Sequence, residues 1–397
     1  MNYLSQRINE LEESATIAMA RLSRELQEQG HDIINLSLGE PDFVTPLDIR
    51  EAAKKAIDDG FTFYPPIAGY ADLRKAICDK FKRENNLYFT PDQIVVSTGA
   101  KQSIANVVMS LVNPGEEVII PTPYWVSYSQ IIKLAGGIPV FISTTLATDF
   151  KPTAEQIKNA ITPKTKLLMF SSPCNPTGSM YSKEELKSIA EVIAPHPQIF
   201  ILSDEIYEHI HFEGEHESIA QFDFIKERVI IVNGVSKGYA MTGWRIGYIG
   251  ASKEIAKACD KMQGQFTSAA SSIAQKAAVK AISTDWSEYA YMRDLFLKRR
   301  NLVLDLMAQI PGWKFNKPKG AFYVFPDVTY FFGKSDGTTT IHTASDLCMY
   351  LLKEAKVSLV TGEAFGDDRC IRISYATSEE ILTDALTRIK NALAKLQ

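Results

Sequence analysis

The chain lacks what several large classes of protein require. No run approaches the ~20 apolar residues of a membrane-crossing helix. Its opening residues, Met1 to Arg7, lead into an acidic amphipathic stretch rather than an apolar signal core. The five cysteines (Cys78, Cys174, Cys259, Cys348 and Cys370) include no C-x-x-C pair, and so odd and dispersed a set reads as reduced thiols, not a disulfide frame. Charge of one sign is also scarce: a formal net charge of -4 favours neither nucleic acid nor an anionic membrane. There is no internal repeat, no low-complexity segment and no Walker loop, because Gly-x4-Gly-Lys-Ser/Thr is absent. The expected location is the cytoplasm, with no membrane and no nucleic acid as partner.

What is present is a chain of 397 residues, enough for two domains, whose 45% hydrophobic and 23% charged content can bury a sizeable core. From Gln93 onward, short apolar runs at 93–97, 117–120, 138–142, 166–170, 199–202 and 229–232 alternate with helical patterns such as 183–190. The runs are continuous in hydrophobicity, as strands covered on both faces are. This predicts an α/β fold: a large domain over residues 46–290 with a mostly parallel sheet flanked by helices, binding ligands at the carboxyl ends of its strands. The tail changes character. Residues 293–310 read as a long helix closed by Pro311-Gly312, 321–325, 357–360 and 370–374 as strands, and 378–396 as a last helix. A smaller α+β domain over 291–397 is expected, with residues 1–45 packing against it.

Several residues carry possible chemistry. Ser236-Lys237 follows the sixth apolar run and opens into Gly238-Tyr239-Ala240-Met241-Thr242-Gly243-Trp244-Arg245. A lysine at the mouth of a strand, close to an arginine, suggests an amine held beside an anion site; such amines usually act on carbonyls through a Schiff base. Asp204 falls at the binding edge of the sheet with Tyr207 three residues on, and a buried carboxylate needs a partner such as a protonated heteroaromatic nitrogen. Asn175 lies in an Asn-Pro-Thr-Gly turn and can donate and accept at once. Ala100 and Lys101 open a helix straight after a strand, where free N–H groups and the helix dipole favour phosphate. Trp125 could stack on a flat ring, and Tyr64 sits in a loop rich in proline and glycine. Arg245 and Arg372 lie among apolar neighbours, Arg372 in an alternating strand, and guanidinium suits carboxylate or phosphate.

Taken singly, each has a plainer account: a helix cap, a tight turn, a core aromatic, a surface tyrosine, a structural ion pair. Residues 208–216 hold three of the six histidines. A His-x-His pair can ligate zinc, but a site needs a third ligand and outer support. A polar edge strand is the better account there, and no metal is expected.

Read in order, Leu38-Gly39-Glu40-Pro41-Asp42-Phe43, Gly99-Ala100-Lys101-Gln102, Pro123-Tyr124-Trp125-Val126-Ser127-Tyr128, the Asn175 turn, Ser203-Asp204-Glu205-Ile206-Tyr207, the lysine segment and Ile371-Arg372-Ile373-Ser374-Tyr375-Ala376 span nearly the whole chain. Together they resemble the class I pyridoxal-phosphate aminotransferases of fold type I, most closely the aspartate aminotransferase branch. The resemblance implies pyridoxal 5'-phosphate carried on Lys237, which also shuttles a proton. It implies that Asp204 keeps the pyridine nitrogen protonated, that Asn175 and Tyr207 bond the ring oxygen, and that Trp125 stacks on the ring. Arg245, the backbone of Ala100 and Lys101, and Tyr64 from the second subunit of a homodimer would hold the phosphate. Arg372, with Asn175, Trp125 and the Gly39 backbone, would hold the substrate carboxylate, and Ser14 and Thr16 a side-chain carboxylate.

Three positions depart from the pattern. Gly234 stands where many relatives have a phosphate-binding serine. No arginine occurs in 263–270, where one branch recognises dicarboxylates. Glu12-Glu13 replaces the Lys-Pro that often precedes Ser-Ala-Thr, which weakens the case for large dicarboxylates such as prephenate. The expected activity is transfer of the amino group of L-aspartate to 2-oxoglutarate, giving oxaloacetate and L-glutamate in a ping-pong cycle. The alternatives are an aminotransferase for aromatic or other neutral amino acids and a C–S lyase using the same cofactor. A cofactor-sensing transcription regulator would need a basic helix-turn-helix head, which the acidic start does not offer.

Overall fold

Uninterrupted Val, Ile and Leu runs need apolar cover on both sides, and the middle of the chain supplies it. In the computed structural model, which describes residues 3–397, β1 (Ile34–Asn35) precedes seven longer strands. These are β2 (Ile94–Ser97), β3 (Glu117–Pro121), β4 (Ile138–Ile142), β5 (Thr165–Ser171), β6 (Phe200–Asp204), β7 (Val229–Gly234) and β8 (Gly247–Gly250). Met1 and Asn2, where the acidic amphipathic reading of the N-terminus begins, lie outside the described residues. The seven strands form one sheet in the order β2-β8-β7-β6-β5-β3-β4. From β4 to β7 every pairing is parallel, while β8 runs antiparallel to both β7 and β2. Val118, Leu167, Met169, Leu202 and Ile230 enter the core on one face; Ile119, Leu168, Ile201 and Ile231 enter the core on the other. The fold is the expected α/β arrangement.

Two strands differ from the reading of the sequence. β4 is not covered on both faces: Ile138 and Phe141 are 46% and 47% exposed. It is the edge strand, the place where its Pro139 is tolerated. β8 was not foreseen, because a run bounded by glycines at both ends reads as a loop. Those glycines serve close approach. A Cβ on Gly247 would collide with the Gly99 carbonyl carbon and the Ala100 nitrogen, where the helix Ala100–Leu111 begins.

The tail supplies the helix Ala290–Met307, which runs three residues ahead of the expected span, and the helix Glu379–Leu393. Between them lie β9 (Tyr323–Val324), β10 (Val357–Ser358), β11 (Val360–Thr361) and β12 (Ile371–Ser374), shorter than the runs that announced them. β11, β12 and β9 form an antiparallel sheet. β1 pairs in parallel with β10, so the N-terminal segment joins the C-terminal elements through its backbone. Leu36 packs in the same core as Phe296, Tyr323 and Ile373. β12 does not alternate: all four of its residues are buried, so Arg372 has no solvent face.

Nor is 208–216 an edge strand. Only His211 makes a bridge, to Gly320, and Glu208 is buried. Ile206, Tyr207 and Ile210 belong to the C-terminal core, so the segment leaving β6 is where the two halves meet. The five cysteines are unpaired, and no helix among the described residues is long and apolar enough to cross a membrane.

Gly247→Ala is expected to lower the unfolding free energy by about 1–3 kcal/mol, the usual cost of overpacking. Urea denaturation measures it; an unchanged midpoint would show that the helix start has room to retreat.

Candidate active site

The carboxyl ends of β5, β6 and β7 converge on a cavity of ≈ 270 Å³. Lys237 stands three residues past β7, and its Nζ donates to the Gly39 carbonyl at 2.5 Å. Burial pushes this amine down to about 8; Glu40 opposes the shift, and Arg372 and Arg245 add to it. Across the cavity, Asp204 ends β6. Its carboxylate accepts from the Tyr128 hydroxyl at 2.7 Å and the Ile206 N–H at 3.3 Å. Burial pushes Asp204 up to about 6 against the pull of these donors. An acid buried with neutral donors alone has room for a cationic partner in the space it faces.

Tyr207 is buried and its hydroxyl meets that of Tyr323 at 2.7 Å. Burial, then Tyr323, holds its own pKa far above the ordinary phenol value. Arg372 is 1% exposed and lies over the Tyr323 and Phe365 rings at 4.6 and 4.9 Å. Its Nη1 donates to Asn175 Oδ1 at 3.0 Å, its Nη2 to the Ser37 carbonyl, and its Nε has no partner. No carboxylate among the described residues neutralises it, which is an expensive state for a buried guanidinium. A Cβ on Gly39 would strike the Tyr323 hydroxyl, so glycine is required beside both Lys237 and Arg372.

The second arginine is different in kind. Arg245 was grouped with Arg372 as a charge amid apolar neighbours, but it is exposed, in the left-handed region at φ 59°, ψ 52°. That conformation is uncommon for a side chain of this size. It turns the guanidinium against Gly99, with Nη1 donating to the Thr242 carbonyl at 2.8 Å. Beside it begins the helix Ala100–Leu111, whose first two residues line the cavity with Ser236. Gly234 cannot take over a serine's task, since a Cβ there would lie 2.8 Å from the Ile246 carbonyl. Ser236, two residues on, lines the cavity instead.

The structure thus gathers Thr16, Gly39, Ala100, Lys101, Trp125, Asn175, Asp204, Tyr207, Lys237, Arg245 and Arg372 around one space. Tyr64 is not among them: it is 99% exposed, in a loop pinned by Ser272 to the Phe61 carbonyl, Gln263 to the Ile67 carbonyl and Gln275 to the Tyr70 N–H. Sequence reasoning missed Tyr128, Tyr323 and the side chain of Lys101. Tyr128 sits three residues after Trp125 in the same motif, a signal that could have found it; Tyr323 gives none in an aromatic, apolar strand. Lys101 Nζ lies 5.0 Å from the Trp125 ring, and burial, then Arg245, pulls its pKa down. The two histidines of the His-x-His pair diverge. His209 stacks on Trp286 at 4.2 Å, and His211 Nδ1 bonds the Glu208 carbonyl at 2.6 Å.

Residues 31–389 match the family model described as aminotransferase class I and II. An aspartate/prephenate aminotransferase of Cereibacter sphaeroides is 45% identical over 100% of both chains. Among solved structures, the aspartate aminotransferase of Rhizobium meliloti superposes with a TM-score of 0.97 at 42% identity, covering 100% of both chains. That of Thermus thermophilus with maleate gives a TM-score of 0.92 at 39% identity, over 99% of this chain and 100% of the other.

Asp204 sets a pH dependence whose sign is fixed by its raised pKa. Between pH 4 and 6 the folded, cofactor-free protein keeps a proton that the unfolded chain has lost, so stability falls as pH rises through that window. Asp204→Asn is expected to abolish this fall and to stabilise the cofactor-free protein by about 3 kcal/mol at pH 7. Thermal melts of both proteins from pH 4 to 8 measure it; parallel curves would mean that Asp204 titrates as it does in water.

Proposed function

The chain belongs to the aminotransferase class I and II family, and from that premise we propose that it is a pyridoxal-phosphate-dependent transaminase moving the amino group of L-aspartate to 2-oxoglutarate. The observation that carries the substrate reading is charge. Four cations, Lys101, Lys237, Arg245 and Arg372, line a cavity whose single lining carboxylate is Asp204. Only a ligand set rich in anions balances that excess: a cofactor phosphate, a substrate α-carboxylate and a second substrate carboxylate.

The residues fit the cofactor. Asp204 is a buried acid with a vacant side toward the cavity, Arg372 a buried cation with an unpartnered Nε, and Lys237 a half-buried amine at its floor. Bound there, pyridoxal phosphate supplies an aldehyde that condenses with amines and a ring that draws electrons from the substrate α-carbon. Arg245, Ser236 and the N–H groups of Ala100 and Lys101 would hold the phosphate, and Asp204 the protonated ring nitrogen. Asn175 and Tyr207 would bond the ring oxygen, with Trp125 covering the ring.

Arg372 takes the α-carboxylate, held in place by Asn175 and Ser37 so that its fork is oriented before substrate arrives. Lys237 Nζ, lowered to about 8, would take a proton from the substrate α-carbon and pass it on to the cofactor within the first half of the cycle, and run the same transfer in reverse in the second. Lys101, with Ser14 and Thr16 across the cavity, faces the side-chain carboxylate. Glu12, where relatives often carry a lysine, brings no further cation; its N–H donates to Gln130 and its carboxylate pairs with Lys133. A relative that takes up maleate, a dicarboxylate of similar size, supports the same reading.

The pinned, exposed Tyr64 loop supports a homodimer in which that tyrosine reaches the partner's phosphate. Separate cores support a cofactor-binding domain over 46–290 and a smaller one from 1–45 and 291–397. Five unpaired cysteines suit a reducing cytoplasm.

Lys237→Ala is expected to abolish turnover and the fixation of cofactor to protein by borohydride; retained activity would remove the lysine from its role. Steady-state rates with aspartate, alanine, phenylalanine and kynurenine test the substrate. Aspartate should lead, and Lys101→Met should lower kcat/KM for aspartate by about tenfold or more, as loss of a charged contact does, while sparing phenylalanine. An enzyme with no aspartate turnover would belong to one of the neutral-substrate alternatives.

A further inference from the structure

At the end of β6 the chain divides its side chains between the cavity and the protein behind it. Asp204 and Tyr207 enter the cavity, while Glu205 and Glu208 enter the protein behind it, 0% and 3% exposed. Glu208 is used by nothing in the chemistry above, yet it is densely held. It pairs with Lys80, a lysine that is itself 0% exposed, and accepts from Asn233 Nδ2 at 2.7 Å and Asn85 Nδ2 at 3.1 Å. Two neighbouring groups of acids and histidines, Glu84-Glu208-His209 and Glu205-Glu208-His216, share this carboxylate. A metal is not the reading for them, because the Lys80 ammonium already lies against Glu208.

Asn233 is the informative partner. It stands on β7, four residues before Lys237, and its Oδ1 accepts the N–H of Gly234 at 2.7 Å. The last backbone hydrogen bond between these two chain segments runs from the Glu205 N–H to the Val232 carbonyl at 2.8 Å. Beyond it, the Glu208–Asn233 hydrogen bond ties the segment bearing Asp204 and Tyr207 to the segment bearing Lys237, beside the packing of His209 on Gly238 and Tyr239. On its other side β7 has no slack, since a Cβ on Gly234 would lie 2.8 and 2.9 Å from Ile246 and Gly247 backbone atoms of β8 and its approach.

We infer that Glu208 is a positioning residue for the proposed reaction. Through Asn233 it fixes the spacing between the acid wall of the cavity, Asp204 and Tyr207, and the amine of Lys237. Lys80 keeps the buried carboxylate ionised and still, so that it accepts from both asparagines at once. The inference rests on the transaminase reading, and its test separates the two.

In wild-type holoenzyme, a visible absorption band that disappears on borohydride reduction reads the cofactor on Lys237; without that band the transaminase reading and this inference both fall. With the band present, Asn233→Ala tests the inference alone, because it removes the link and leaves the Lys80–Glu208 pair intact. It is expected to fold with the wild-type circular dichroism spectrum and to bind cofactor. Its kcat should fall about tenfold or more, as misplacement by a fraction of an ångström does, with KM for aspartate within about twofold, since Arg372 is untouched. The pH midpoint of its absorption band should also move, a change that a merely structural asparagine would not cause. The double variant K80M/E208Q removes both buried charges but keeps an amide oxygen facing Asn233, so it should turn over faster than Asn233→Ala. A wild-type kcat and a wild-type pH profile in Asn233→Ala would overturn the inference.

Discussion

A buried guanidinium without an anion is the constraint around which this molecule is arranged. Arg372 is enclosed by aromatic rings and held by two neutral acceptors, and no carboxylate among the described residues pairs with it. A protein retains such a charge at a cost of several kcal/mol unless a ligand brings the missing sign. The shape of the site follows from this. Gly39 must be glycine because Tyr323 fills the space beside it. Asn175 and Ser37 must present oxygens because the guanidinium has donors to satisfy. The excess of lining cations over the single carboxylate of Asp204 then selects ligands that carry several negative charges.

Proton affinities at the site are set by the same low-dielectric enclosure. Burial raises Asp204 and lowers Lys237, so both pKa values move toward neutrality from opposite sides. An acid and an amine shifted in this way are suited to exchanging protons with a ligand at physiological pH. Neither shift needs an unusual partner. Each comes from where the strand ends leave the side chain, and the sheet order β5-β6-β7 brings those ends side by side.

Much of the fold could be read from the chain. Uninterrupted apolar runs announce strands covered on both faces, and six of the seven central strands follow from that one rule. The seventh, β8, did not, because its glycines at 247 and 250 register as turn signals when their use is to let a helix and an aromatic cluster come close. β4 kept its apolar residues while losing its cover, since a sequence does not say which strand lies at the edge. In the site, Lys237 and Asp204 were legible because charge is rare just past an apolar run, Arg372 because it is rare within one, and Tyr207 by its place three residues after Asp204. Tyr323 was not, since a tyrosine between phenylalanine and valine in a core strand looks like any other core aromatic.

The sequence by itself determined the composition of the site: which amine, which acid and which arginines, and the family whose order of motifs they share. Local chemistry and the order of motifs are enough for that, because a charged residue in or just after an apolar run stands out by its type alone. Tertiary structure alone decided how the two arginines differ, one sealed under aromatic rings and one exposed in a left-handed turn. It also brought the side chain of Lys101 over Trp125 and tied Glu208 to Asn233 behind the cavity. Those relations join residues from 24 to 146 positions apart in the cases of Lys101–Trp125 and Arg245–Gly99, and only the packing of one element on another brings such pairs within the few ångströms over which charge and hydrogen bonding act.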